Sequence, residues 1–289
     1  MGLHDRGRHR PAVPSGVLAS RLDSTRYEVL PLPGVLDQTA RLAEGTTVTV
    51  TASPSRGLDA TVELCEKLAA QRLRAVAHLA ARQVRDTPHL RDVLDRLAGA
   101  EVDEVFVIAG DARTPAGPFE DGLSLLRAIE ESGRRPRRVG VPCYPEGHPL
   151  LSDDALWAAL TAKQPHADYA VSQLCFDATV VCRFLRLARE RGVTLPVYVG
   201  LAGVVDPAKL LRVGARIGVG DSLAFLRKNR AALAGFTRSA HHDPGRFLTA
   251  LAERTTDGGC VPAGLHFYTF NRVTATVEWV DAARARRAE

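Results

Sequence analysis

Long apolar runs are absent from this 289-residue chain, since no stretch of about 18 or more apolar residues occurs in it. The sequence therefore predicts no membrane span. The opening segment, MGLHDRGRHRPAVPSG, is polar and basic and lacks the apolar core of a secretory signal. We expect residues 1–24 to form a flexible basic leader, and we expect the protein to be cytoplasmic.

Cysteine is scarce, and no two cysteines stand in a CxxC pair. This spacing argues against a disulfide framework and against a zinc site, so we expect reduced thiols and no bound metal. The five are Cys65, Cys143, Cys175, Cys182 and Cys260.

The excess of positively over negatively charged residues is also small. The net charge is +5, and the basic residues are dispersed along the chain. They lack the interleaved aromatic residues that are typical of a nucleic-acid-binding stripe, so we expect no nucleic-acid partner.

What the chain does contain is a regular alternation of short β-rich runs and helical patterns. Several of the runs are almost continuously apolar, as strands buried on both faces are. We predict eight strands, at residues 27–33, 46–52, 74–80, 104–110, 138–144, 169–176, 195–201 and 264–270.

Helical patterns fill the segments between these strands. Apolar residues recur at steps of three and four in residues 57–71, which predicts one amphipathic helix. Thr87 is a candidate N-cap for another helix, and a third begins at Asp177 and stops at Gly192.

Eight strand-then-helix units favour a parallel sheet with right-handed crossovers. With 45% hydrophobic residues, the simplest closure is an α/β fold of the (β/α)8 TIM barrel type, a single catalytic domain over residues 25–289. A doubly wound open sheet competes, but no GxGxxG follows the first strand. The long connection between strands seven and eight predicts extra helices, at roughly residues 206–216, 221–234 and 244–256.

Ligands of such a barrel bind at the carboxyl ends of its strands. Glu28 lies inside the otherwise apolar first strand. It is either a structural acid or a shielded carboxyl group with a raised pKa, and the rarity of buried acids favours the second reading. Gly110 and Asp111 end strand four, where glycine permits close approach of a ligand and the aspartate is a catalytic candidate or a turn residue.

Other strand ends carry polar or aromatic groups. Thr51 and His78 end strands two and three, and a lone histidine there is more often a satisfied core residue than a ligand contact. Tyr144 and His148 flank a turn that either sandwiches a flat heterocycle or is only rigid. Gln173 suits the amide-like edge of a pterin or pyrimidine ring, with a structural amide as the alternative.

The last predicted strand, GLHFYTF, contains Tyr268 near its end and is followed by Asn271 and Arg272. Hydrogen-bonding residues at a strand end often point at a ligand. The stretch IGVGDS at residues 217–222 is similar to a glycine-rich anion loop. It lacks the GK[ST] of a P-loop, so a simple helix N-cap is favoured there.

Taken together, these strand ends resemble the methylenetetrahydrofolate reductase family. The motifs stand in the family's order over about residues 25–275: YEVLPLP, VTVTAS, AHLA, IAGD, CYPEGHP, SQLCFD and LHFYTFNR. The resemblance implies a barrel with FAD at its mouth. NADH or NADPH would be the reductant, and 5,10-methylenetetrahydrofolate the small-molecule substrate that is reduced to 5-methyltetrahydrofolate.

The same resemblance assigns roles to residues. It implies that Glu28 is the acid that opens the imidazolidine ring and that Asp111 contacts the pterin. Family members are often oligomers, so it also suggests a homo-oligomer. The implied folate contacts are Gln173, Tyr268, Asn271 and Arg272. The implied flavin contacts are Thr51, His78, Gly110, Asp111, Tyr144, His148 and Lys163.

The chain departs from the family in the helix after strand five. Lys163 matches a family lysine, but alanine-like positions replace the asparagine and arginine that contact the flavin. Each lost charge-assisted bond removes about 1.5–3 kcal/mol. Three alternatives stay open: FAD held in a different way, for example through GVGDS; a flavin-independent reductase; and a diverged folate-binding paralogue or non-catalytic regulatory subunit. An aldolase-type barrel is disfavoured because none of the four lysines lies on a predicted strand.

Overall fold

The structure is a computed structural model that describes residues 17–148, 150–206, 243–255 and 260–287. Its eight strands form a closed, all-parallel barrel in sequence order, with β8 pairing to β1. The predicted α/β barrel is therefore confirmed. The strands are β1 Thr25–Val29, β2 Thr47–Val50, β3 Arg74–Ala80, β4 Glu104–Ile108, β5 Arg138–Cys143, β6 Tyr169–Ser172, β7 Val197–Ala202 and β8 Gly264–Tyr268.

Helices follow the strands and cover the barrel. They are α1 Val17–Arg21, α2 Val35–Thr39, α3 Gly57–Ala70, α4 Thr87–Gly99, α5 Gly122–Glu131, α6 Asp153–Lys163, α7 Ala178–Glu190, α8 Gly245–Thr255 and α9 Val273–Arg287. Short 3-10 turns occur at Leu22–Ser24, Ala81–Gln83 and Gln164–His166. Across the described residues, every helix is too short or too polar to cross a bilayer.

Several boundaries differ from the sequence-based expectation. Helix α4 is capped by Asp86, whose carboxylate accepts from the His89 amide, and Thr87 is the first helical residue rather than the N-cap. Asp177 caps α7 as expected. Residues 17–24, part of the predicted flexible leader, instead form α1 and a turn because Leu18 and Leu22 are fully buried.

The connection between β7 and β8 is described only at its end. Helix α8 matches the third helix expected there. The helices expected at residues 206–216 and 221–234, and the IGVGDS stretch, lie outside the described residues.

One expectation about cysteine is wrong. Cys182 in α7 and Cys260, just before β8, form a disulfide with a Cα–Cα distance of 4.9 Å. The two are separated by 78 residues in sequence, and packing of α7 against α8 brings their segments together. Cys65, Cys143 and Cys175 are buried free thiols, as expected.

Alternating side chains of each strand point into the barrel or out towards the helices. On β1, Tyr27 faces outward and stacks on Phe267 of β8 with ring centroids 6.0 Å apart. Arg26 and Glu28 face inward. Arg26 pairs with Glu104 and donates to the Tyr169 hydroxyl at 3.0 Å, which closes the barrel below Glu28 with a buried polar layer.

Candidate active site

The centre of the site is a carboxyl group between two imidazoles. Glu28 lies near the carboxyl end of β1, and its Oε2 is 3.1 Å from Nε2 of His266 on β8. The same oxygen is 3.7 Å from Nε2 of His78 on β3, which is beyond hydrogen-bond distance. The three side chains come from strands on both sides of β1, so barrel closure is what assembles them.

Burial decides the protonation of this cluster. It raises the pKa of Glu28 to about 7, and His78 offsets part of that rise. Burial lowers the pKa of His78 to about 4 and that of His266 to about 3, and the positive charge of Arg26 adds to both shifts. Near neutral pH the imidazoles are therefore neutral and Glu28 can hold a proton, as a general acid must.

Strand β2 supplies two hydroxyl groups without partners. Thr49 lies opposite Glu28 in the β1–β2 register, and Thr51 follows the end of β2. The hydroxyl oxygens of both are buried and have no hydrogen-bond partner in the described part of the chain. Buried polar atoms are usually satisfied, so these two are candidates for contact with a bound ring or with water.

The end of β4 comes close to the end of β3. Gly110 has a φ of +87°, and a Cβ there would lie 2.9 Å from the Ala80 Cβ, so only glycine fits without a shift. Asp111 follows and is exposed at the barrel mouth. The pKa of Tyr144 is raised to about 12, mainly by burial and to a smaller extent by the nearby charges of Cys143 and Asp111. Asp111 and Tyr144 are therefore near each other.

The loop after β5 presents an aromatic pair. The rings of Tyr144 and His148 meet edge to face, with centroids 5.3 Å apart. Glu146, between them, accepts from the amides of Phe176 and Asp177, so it fixes the start of α7. The hydrogen bonds of Glu146 therefore stabilise the turn that carries the Tyr144 and His148 rings.

Gln173 follows β6, the strand next to β5, and Tyr268 ends β8. The Tyr268 hydroxyl donates to the Ser172 carbonyl at 3.0 Å, which ties the end of β8 to the end of β6. Gln173 is half buried, and its Oε1 accepts from the Leu174 amide at 3.3 Å. Its amide group therefore lies at the carboxyl end of β6, as a contact with a ring edge requires.

The Asn271 side chain forms hydrogen bonds with the protein backbone. Its Oδ1 accepts from the Leu30 amide at 2.7 Å, and its Nδ2 donates to the Leu30 carbonyl at 3.0 Å. The backbone of Asn271 is left-handed, with φ +60°. The side chain joins the segments after β1 and β8, so its role as a folate contact stays a prediction. Arg272 lines a surface depression beside it with Pro33 and Glu278.

Two described cations near the mouth, Lys163 and Arg82, are already surrounded by protein groups. Lys163 at the end of α6 reaches the first turn of α5, where a Cβ on Gly122 would be 3.7 Å from its Nζ. Burial lowers the pKa of Lys163, and Asp121 partly offsets this. Arg82 is engaged by carbonyl oxygens, including that of Ala112. Neither Lys163 nor Arg82 is therefore free to form a charge-assisted bond with the diphosphate of FAD without giving up contacts to the protein.

In the part of the chain that the structure describes, no three His, Cys, Asp or Glu side chains are close enough together to bind a metal ion.

Residues 32–284 match the family model of methylenetetrahydrofolate reductase. The chain belongs to the methylenetetrahydrofolate reductase family. A probable methylenetetrahydrofolate reductase (NADPH) from Caenorhabditis elegans is 26% identical over 263 residues. That alignment covers 83% of this chain but 38% of the relative, so the chain spans well under half of that protein's length. The family resemblance inferred from the strand ends is thus confirmed.

Among solved structures, a Clostridium thermocellum protein that binds two copies of 5-methyl-5,6,7,8-tetrahydrofolic acid has a TM-score of 0.62. It covers 94% of this chain, and 99% of its own length is matched, at 10% identity. At that identity the likeness shows a shared fold.

Two functional candidates were missed by sequence reasoning. His266 lies two residues before Tyr268 in GLHFYTFNR, and period-two alternation puts both on the inner face. Thr49 stands in the same relation to Thr51. The signal was available, because a residue two before a strand end points into the same barrel interior.

Proposed function

We propose that the protein reduces 5,10-methylenetetrahydrofolate to 5-methyltetrahydrofolate with NADH or NADPH. The observation that carries the proposal is Glu28, a carboxyl group buried at the mouth of a family barrel with a pKa of about 7. Such a group can hold a proton near neutral pH and is largely removed from water, as an acid for ring opening must be.

Glu28 would act on the bridging carbon's bond to N10. As that bond breaks, its electron pair goes to N10, which takes the Glu28 proton, and a C=N bond to N5 forms. Hydride from the reduced nicotinamide then adds to the exocyclic carbon and gives the methyl group. Glu28 regains a proton from water, so one nucleotide and one proton are consumed for each folate.

The remaining rim residues would orient the folate. Gln173 after β6 would offer an amide for the pterin edge, and Asp111 would contact the ring from the loop after β4. Tyr268, whose ring packs on His266, would bound the pterin space, and Arg272, which lines a surface depression after β8, would meet the carboxylate tail. The ability of the Clostridium thermocellum barrel to bind methyltetrahydrofolate makes the same ligand a reasonable candidate here.

The engagement of Lys163 and Arg82 by protein groups favours a second candidate. The family resemblance suggests FAD, with Thr51, His78, Gly110, Tyr144 and His148 as ring contacts. A flavin-independent reductase would use the same ring-sized space for the nicotinamide, and a folate-binding subunit would use it without turnover. We place the protein in the cytoplasm, and a homo-oligomer remains an expectation.

The test is nucleotide oxidation by the purified protein, followed at the nicotinamide absorbance with and without 5,10-methylenetetrahydrofolate and with and without added FAD. The proposal predicts oxidation that requires folate. Dependence on FAD, together with a yellow protein, would support the flavin route. Folate-dependent oxidation by a colourless protein would support direct transfer. Tight folate binding without any oxidation would leave the folate-binding subunit and refute the reductase.

A further inference from the structure

The two ring nitrogens of His266 have unequal surroundings. Nε2 is 3.1 Å from Oε2 of Glu28, whereas Nδ1 is buried and has no hydrogen-bond partner among the described residues. The ring is fully enclosed and meets Tyr268 edge to face, with centroids 4.9 Å apart. Its orientation is therefore set by packing as well as by the carboxyl group.

This asymmetry selects one tautomer. A neutral imidazole carries its proton on one nitrogen and a lone pair on the other. A buried N–H without an acceptor is rarer and costlier than a buried acceptor without a donor. The proton of His266 therefore lies on Nε2 and is donated to Oε2 of Glu28, while Nδ1 keeps its lone pair.

Occupation of Oε2 has a consequence for Glu28. The side-chain contacts described for Glu28, to His266 and to His78, both involve Oε2. The side chain keeps 13% of its surface exposed, so the carboxyl group is not sealed from the mouth. An acid with one oxygen held by a donor carries its own proton on the other oxygen.

We propose that His266 is a positioning residue that binds Oε2 of Glu28 through Nε2–H and so keeps the acid proton on Oε1, facing the folate. The folate part of this inference rests on the proposed function. The hydrogen bond and its effect on Glu28 do not.

The groups that face Glu28 are compatible with this arrangement. His78 on β3 lies 3.7 Å from the same oxygen, and Tyr268 lies on β8 beside His266. Arg26 lies one inward position below on β1 and pairs with Glu104. Its positive charge opposes protonation of both imidazoles, so the exchangeable proton of the cluster stays on Glu28.

The test is the titration of Glu28 in ligand-free protein, followed by carbon NMR of glutamate labelled at the side-chain carboxyl. The Glu28 signal is assigned by its loss in Glu28→Gln. His266→Gln places an amide N–H where Nε2 stands, whereas His266→Leu keeps the bulk and removes the donor. His266→Asn is polar but too short to reach Oε2, and it replaces the Leu variant if that one does not fold.

Loss of a hydrogen bond to the charged form should raise the midpoint of Glu28 by about one pH unit or more in the Leu or Asn variant. The Gln variant should stay within about half a unit of wild type. His166→Leu, which removes an imidazole that bonds Glu130 and not Glu28, is the matched control and should leave the midpoint unchanged. In folate turnover, the alkaline limb of kcat/KM should move with the NMR midpoint.

An unchanged Glu28 midpoint in both the Leu and Asn variants would overturn the inference, as would a Gln variant that shifts like them. Absence of folate turnover in the wild type, with the NMR shifts as expected, would refute the proposed function and leave the His266 arrangement intact.

Discussion

Replacement of Glu28 by glutamine should make the protein's stability depend differently on pH. The group's pKa is raised from 4.5 to about 7 by burial, so the folded state holds a proton that the unfolded state has released between these values. A raised folded pKa contributes stability that is fully present below about pH 4.5 and is lost as the pH rises through about 7. Glutamine carries no such proton.

The size of the effect follows from the shift. Each pH unit between the two values lowers the wild-type unfolding free energy by about 1.4 kcal/mol, or about 3 kcal/mol in total. His78 and His266 are neutral in the folded state down to about pH 4 and about pH 3, respectively, so their contributions are the same in both proteins above about pH 4.5. The difference between wild type and variant therefore isolates Glu28.

The assay is urea unfolding at a series of pH values from about 5 to about 8.5. The stability of Glu28→Gln relative to wild type should rise steadily to about pH 7 and then level off. Exposed Glu63→Gln is the control, and its difference from wild type should be flat over this range. A flat difference for Glu28→Gln as well would refute the claim that the folded protein shields a protonated acid.

Three further predictions concern the frame around the site. Gly110→Ala should lower the unfolding free energy by more than Gly133→Ala in thermal unfolding, because both have positive φ but a Cβ meets a neighbour at 2.9 Å only at Gly110. The left-handed backbone alone should cost either alanine variant about 1–2 kcal/mol. Equal losses of unfolding free energy in the two variants would show that the close contact at Gly110 has no effect on stability. Reduction of the Cys182–Cys260 disulfide should destabilise the protein by roughly 4–5 kcal/mol in the chain-entropy model for a 78-residue separation. A melting temperature that is insensitive to reductant would show that this bond does not form in solution. Asn271→Ala should lower the unfolding free energy by about 2–4 kcal/mol, because it removes two hydrogen bonds to the Leu30 backbone and puts alanine in a left-handed conformation. Asn271→Asp should have an intermediate effect because it keeps the oxygen that accepts from the Leu30 amide. Equal stability of the two variants would contradict this.

The fold was accessible from sequence because it depends on local periodicity. Apolar strand runs and amphipathic helices alternate from residue 25 onward, and each of the eight predicted strands overlaps an observed one. Glu28 could be singled out for the same reason, as a charge in an apolar run whose barrel face follows from alternation.

Other features depend on contacts between residues far apart in the chain. No local pattern pairs Cys182 with Cys260, or directs the Asn271 amide to the backbone of Leu30. His266 escaped notice because its role appears only when barrel closure sets β8 beside β1. Asp86 and Thr87 are both good N-caps, and the choice between them is made by the backbone entering α4.

The most direct test of the central claim is the quantity of 5-methyltetrahydrofolate formed from 5,10-methylenetetrahydrofolate and NADH or NADPH, measured by mass spectrometry for wild type and Glu28→Gln. The account predicts one product molecule per nucleotide oxidised by the wild type. It predicts a loss on the order of 100-fold or more in the variant, which should still bind the folate. No product from the wild type, or equal product from both, would contradict it.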